Sequence, residues 1–149
     1  MQIDKWDYRF LSLSRTISDW SKDPSTKCGS VITRPDNTIC SLGFNGFPSK
    51  IDDDDRLLDR NIKYSLIIHA EMNAILSAKE NLVGYTIYVW PQIPCSNCAK
   101  HIIQTGITRV VYGDKLLPPN WEEDSKVTKE MFIESGVDFF SIDTIDLRD

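Results

Sequence analysis

The stretch HAEMNAI, residues 69–75, sets one of the chain's two histidines two positions ahead of a glutamate. A helical pattern runs on from it, His69 to Leu82, and strands and helices alternate from there to the last strand. Thr86 to Trp90 reads as a strand and Cys95 to Thr105 as a helix opened by PCSNC, residues 94–98. Arg109 to Tyr112 is a strand, Ser125 to Ser135 a helix ended by Gly136, and Val137 to Ile142 a last strand. Residues 115–124, KLLPPNWEED, form an irregular loop of the kind that reaches over a ligand or simply connects two elements.

Upstream, Trp6, Phe10, Leu13, Ile17 and Trp20 recur at helical spacing behind Asp4, a plausible N-cap, and Lys22-Asp23-Pro24 ends that helix. Gly29 to Thr33 and Thr38 to Phe44, separated by Pro35-Asp36-Asn37, read as a hairpin. A polar loop from Asn45 to about Asn61 carries DDDD at 52–55, read as a solvated stretch. Strands interleaved with helices imply an α/β fold. The expected architecture is a three-layer α/β/α sandwich around a five-stranded mixed sheet, its crossovers right-handed.

A chain of 149 residues suits one domain, residues 1–149, with a core that needs no staples. Net charge is −5, and no basic run exceeds two residues, which weighs against nucleic acid as a partner. The charged opening MQIDKWDYRF has no apolar signal region and the chain has no membrane-spanning stretch, so the expected compartment is the cytoplasm. In that setting the four cysteines read as thiols or metal ligands.

His69, Cys95 and Cys98 offer one imidazole and two thiolates, a donor set suited to zinc. Cys95 and Cys98 stand three apart at a helix start, so both sulfurs can face one point. His101 is a possible fourth ligand, whereas Cys28 and Cys40 read as small buried apolar residues. Three protein ligands leave an open position, the mark of catalytic zinc. Glu71 then lies near the metal without ligating it, placed to take a proton from activated water and deliver it elsewhere. H-x-E followed by P-C-x-x-C is the known signature of zinc nucleobase deaminases, and His69, Glu71, Pro94, Cys95 and Cys98 match it in order.

On DPSTKCGSVI (23–32), GFNGFP (43–48), HAEMNAIL (69–76) and PCSNCAKHIIQTGI (94–107), the chain resembles the deoxycytidylate deaminases of the cytidine deaminase superfamily. The resemblance runs from about Trp6 to Phe140. It implies a cytidine deaminase-like fold and hydrolysis of dCMP to dUMP and ammonia, supplying dUMP for dTMP synthesis. Glu71 is then the proton carrier, Asn45 the group that holds the deoxyribose, and the Ala70 backbone the partner of the pyrimidine O2. Activation by dCTP and inhibition by dTTP, each with Mg²⁺, are implied at a site between subunits that takes in Gly43, Phe44, Gly46 and Lys50. A homohexamer is implied as well. Relatives usually carry tyrosine where this chain has Phe44, and any hydroxyl contact made there is lost. Some relatives hold a second zinc in the insertion at 45–68, but this chain has neither Cys nor His there, so one zinc per subunit is expected.

For the substrate phosphate, Lys27 is the first candidate, with Lys50 and Lys63 flanking the insertion. Tyr112 either reaches the ligand or packs, and Trp90 is expected as a wall of the site. The sequence leaves two rival readings open: a related deaminase acting on another nucleotide, a nucleoside or tRNA adenosine, and a non-catalytic zinc-stabilised nucleotide-binding protein.

Overall fold

Helix α1, Lys5–Ser18, starts where the sequence requires it. The Asp4 carboxylate accepts from the backbone N–H groups of Trp6 and Asp7 at 2.9 and 3.3 Å, and the Asp7 carboxylate accepts from the Asp4 N–H at 2.9 Å. This reciprocal cap satisfies donors that a helix start otherwise leaves open. The protein is seen here in a computed structural model that describes residues 2–147.

Strands β1, Gly29–Thr33, and β2, Ile39–Phe44, form the expected hairpin. Helix α2 spans Arg60–Leu66, α3 Ala70–Ala78, and β3 Thr86–Trp90. Then come α4, Ser96–Thr105, β4, Arg109–Gly113, α5, Pro119–Ser135, and β5, Asp138–Ile142. Short 3-10 turns lie at Asp55–Leu58 and Thr144–Asp146. The five-stranded sheet runs β2-β1-β3-β4-β5. β1 is antiparallel to both neighbours, and β3, β4 and β5 are parallel, so the sheet is mixed.

Alternation along the strands gives the sheet two apolar faces. Phe10 and Leu11 of α1 cover the face formed by Val31, Tyr88 and Val111. On the other face Ile32, Ile87 and Val110 pack beneath Ala74 of α3, Ile102 of α4 and Phe132 of α5. The α/β fold with helices on both faces of a five-stranded mixed sheet is therefore present as expected.

Four boundaries differ. α1 ends at Ser18, capped by Asp19, short of the stop expected at Lys22-Asp23-Pro24. The loop at 45–61 ends in a 3-10 turn and leads directly into α2. Asp59 caps α2 through the N–H groups of Asn61 and Ile62, but its only buried residue is Lys63, so no apolar period announced it. α3 stops at Ala78 because Lys79 turns left-handed (φ 52°), although Leu82 beyond it is buried. α5 begins at Pro119 instead of Ser125, since a proline in the first turn loses no intrahelical bond. That shortens the expected irregular loop at 115–124.

The antiparallel pairing brings opposite strand ends to one edge of the sheet. Gly29, at the start of β1, lies between Trp90, at the end of β3, and Phe44, at the end of β2. At Gly43 a Cβ would stand 2.6 Å from the Ala70 carbonyl oxygen, so glycine lets the start of α3 lie flat on β2.

Candidate active site

His69 and Cys95 are the N-cap residues of α3 and α4, and Cys98 sits one turn into α4. His69 Nδ1 is 3.5 Å from Cys95 Sγ and 3.3 Å from Cys98 Sγ. A tetrahedral zinc with bonds of about 2.05 Å to nitrogen and about 2.3 Å to sulfur would set N and S roughly 3.6 Å apart. The donor set and its spacing fit such an ion. Among the described residues this trio is the group of His, Cys and acidic side chains able to hold a metal. His101 does not join it, being exposed and turned to the Asn97 carbonyl.

The trio shares its protons. A hydrogen bond from Cys98, assisted by His69, pulls the Cys95 thiol down to about 4 against the effect of burial. The same bond, with burial, pushes Cys98 upward. The Cys95 partner raises His69 to about 9. A divalent ion binds thiolates and neutral imidazole, so binding here expels protons.

Glu71, 5 % exposed, lies in the first turn of α3 and lines the same cavity as the three metal donors. Burial pushes its carboxyl above the ordinary range, with the charged neighbours adding smaller effects of both signs. The cavity measures about 1020 Å³. A buried, metal-adjacent carboxyl of raised pKa can both accept and return a proton.

Asn45 and Ala70 line that cavity. The Asn45 amide is fixed: Oδ1 accepts from the Cys28 N–H at 2.9 Å and Nδ2 donates to the Thr26 carbonyl at 2.8 Å. Trp90 forms a wall. Tyr112 does not reach the cavity and packs in the core beneath α3, α4 and α5. Lys27 is exposed and outside the lining, as is Lys50, whose backbone is left-handed (φ 71°). Phe44 meets Trp20 edge-on at 6.1 Å, and Gly46 bridges to Ile68. Gly43, Phe44 and Gly46 lie outside the cavity lining, Gly43 pressed against the start of α3.

The cations that do line the cavity are Arg60, Lys63 and Lys115. Lys63, 8 % exposed, donates to Asp23 Oδ1 at 3.2 Å and to Ser25 Oγ at 2.7 Å. Burial alone would raise the Asp23 pKa, but bonds from Ser25, Thr26 and Lys63 outweigh it and hold the carboxyl below its usual value. Cys28 is part of the cavity wall, its thiol pushed up to about 12 chiefly by burial, while Cys40 packs against the core as a small apolar residue would. Asp124, near the start of α5, also reaches the cavity, and no sequence signal singled it out. No described helix is long and apolar enough to cross a membrane.

The chain is 44 % identical over 138 residues to a protein of Aliivibrio fischeri named an uncharacterized deaminase in the luxG 3' region. That match covers 91 % of this chain and 92 % of the relative. Human deoxycytidylate deaminase is 32 % identical over 145 residues, covering 91 % of this chain and 78 % of the human one. The crystal structure of dCMP deaminase from cyanophage S-TIM5 in complex with dCMP and dUMP has the same fold, with a TM-score of 0.75 at 20 % identity. That likeness covers 95 % of this chain and 100 % of the phage chain. Residues 4–114 match the cytidine and deoxycytidylate deaminase zinc-binding region, and this chain belongs to that family of zinc-dependent deaminases acting on cytidine- and dCMP-like nucleotides.

Proposed function

We propose that the chain hydrolyses dCMP to dUMP and ammonia, with zinc held by His69, Cys95 and Cys98. The observation that carries the reading is Glu71, buried beside the three metal donors in a cavity large enough for a nucleotide. Zinc supplies the Lewis acidity that makes water a nucleophile near neutral pH. Glu71 would take one proton from the water whose oxygen bonds to C4 and pass it to N3 of the cytosine, then carry the remaining proton of the new C4 hydroxyl to the amino group, which leaves as ammonia. Asn45, held rigid by its own hydrogen bonds, would orient the sugar in this reading.

A monophosphate is favoured over a free nucleoside because Arg60, Lys63 and Lys115 line the same cavity. The deoxycytidylate deaminases among the relatives point the same way. Regulation by dCTP and dTTP with Mg²⁺, and assembly into a homohexamer, belong to the same proposal. The regulation rests on the resemblance of the loop Gly43 to Lys50, and the homohexamer on the resemblance of the chain to the deoxycytidylate deaminases.

The test is loss of cytosine absorbance when the zinc-loaded protein meets dCMP, with deoxycytidine and dCTP run in parallel. Each is repeated with added dCTP–Mg²⁺ or dTTP–Mg²⁺. Turnover of dCMP alone, raised by dCTP and suppressed by dTTP, is the expected result. Zinc-loaded protein that turns over none of the three overturns the reading.

A further inference from the structure

We infer that Asp124 and Thr128, one turn apart on α5, are positioning residues that clamp the segment carrying Cys95. Asp124 takes both polar groups of Ser96: its Oδ2 accepts from the backbone N–H at 2.8 Å and its Oδ1 from the hydroxyl at 2.6 Å. Thr128, fully buried, donates its hydroxyl to the Pro94 carbonyl at 3.0 Å. Cys95 lies between these two anchor points. Four residues apart, Asp124 and Thr128 share a face of α5, so one rigid helix ties down both sides of the ligand.

The clamp matters because of where Cys95 stands. As an N-cap its own backbone is extended (φ −65°, ψ 162°), and α4 holds it through its carbonyl, which accepts from the Ala99 N–H at 2.8 Å, and through its sulfur, which accepts from the Cys98 N–H at 3.5 Å. Nothing in the helix ladder fixes the peptide on its N-terminal side, and Thr128 does. The Ser96 N–H is one of the donors a helix start leaves open, and Asp124 occupies it. With Pro94 and Ser96 fixed, the Cys95 sulfur is held at its spacing from His69 before any metal arrives. Outer partners of this kind typically govern metal affinity by 10- to 100-fold.

The inference rests on the reading of His69, Cys95 and Cys98 as a zinc site. The test measures zinc transfer from the loaded protein to a competing chromogenic chelator. It compares wild type with Asp124→Ala, Asp124→Asn, Thr128→Val and Thr128→Ser. Lys126→Ala, on the exposed side of α5, is the control. The melting temperature of each zinc-stripped protein is recorded alongside. Zinc affinity is expected to fall about 10- to 100-fold in Asp124→Ala and Thr128→Val. Thr128→Ser, which keeps the donor, stays near wild type, Asp124→Asn lies between, and Lys126→Ala is unchanged. Folded Thr128→Val and Asp124→Asn proteins that hold zinc within twofold of wild type overturn the clamp, even if Asp124→Ala does not fold. A lower melting temperature of the stripped proteins with unchanged zinc affinity overturns it equally, because that is the signature of packing alone. Wild-type protein that binds no zinc overturns the metal reading itself, and the clamp with it.

Discussion

Asp7, in the first turn of α1, accepts two parallel hydrogen bonds from the Arg109 guanidinium of β4, at 2.6 and 2.8 Å, across 102 positions of the chain. The Tyr88 hydroxyl donates a third at 2.7 Å, and Phe140 lies under the guanidinium, 5.0 Å from ring centre to charge. Both ionic side chains are nearly sealed from water, at 3 and 10 % exposure. The pair pins α1 to the sheet on the face away from the metal ligands.

Removing one partner leaves the other charge buried and alone. Asp7→Ala should therefore cost about 3 kcal/mol and lower Tm by roughly 10 °C, read by thermal melting. Turnover per folded molecule should be unchanged.

The same pair sets an acid limit. Burial alone would raise the Asp7 pKa, but the bonds from Arg109, the Asp4 N–H and Tyr88 outweigh it and hold the carboxyl below its ordinary value. A depressed folded-state pKa contributes stability that is complete above the unfolded value of about 3.9 and is lost as pH falls through the folded one. Urea midpoints followed downward from pH 5 should fall more steeply for wild type than for Asp7→Asn. Parallel curves would remove Asp7 from this role.

Glu71→Gln should keep its metal and its fold while kcat falls at least about 1000-fold, since the amide cannot carry the proton. Metal content and the melting curve separate this loss from misfolding. Melting at or above the wild-type temperature is expected, because a neutral amide escapes the burial penalty that raises the Glu71 pKa. Substantial residual turnover would take the proton transfer away from Glu71.

Arg60 and Lys63 should part company. Arg60 is an exposed residue of α2 at the cavity, so Arg60→Ala should raise KM for dCMP about tenfold and leave melting unchanged. Lys63→Ala strands the buried Asp23 carboxylate and should cost about 3 kcal/mol as well as substrate affinity. Equal effects of both variants on KM and on melting would count against a division between surface cation and buried anchor.

Metal affinity should weaken as pH falls from 8 to 6, because His69 and Cys98 must give up protons to bind. Chelator competition at several pH values reads the slope, and a flat profile would contradict the shared-proton arrangement.

The metal trio and Glu71 were legible because their chemistry is written in residue type and short spacing. The hairpin and β3 were legible because β-branched and aromatic runs stood between clear turn residues. Lys63 ranks behind Lys27 in the sequence because a lysine in a polar insertion reads as solvated. Its burial depends on Asp23 and Ser25, nearly forty positions away, and local pattern carries no such pairing. Tyr112 alternates with Val111 as any strand residue does, and only the placement of α3, α4 and α5 shows that its side belongs to the core. Asp124 sits in a stretch whose PPNWEED composition suggests a loop, yet Pro119 starts a helix there and brings its carboxylate to Ser96.

The hairpin turn at Pro35 to Asn37 is exposed, and it lies at the far end of β1 from Cys28 and the cavity. Five strand residues at about 3.3 Å each put roughly 16 Å of sheet between that turn and the chemistry. Asn37, already left-handed at φ 65°, tolerates a glycine-rich splice without new backbone strain. A surface tether or fluorescent reporter inserted there would leave the catalytic edge facing away from its support, which makes this turn the natural handle for immobilising the enzyme.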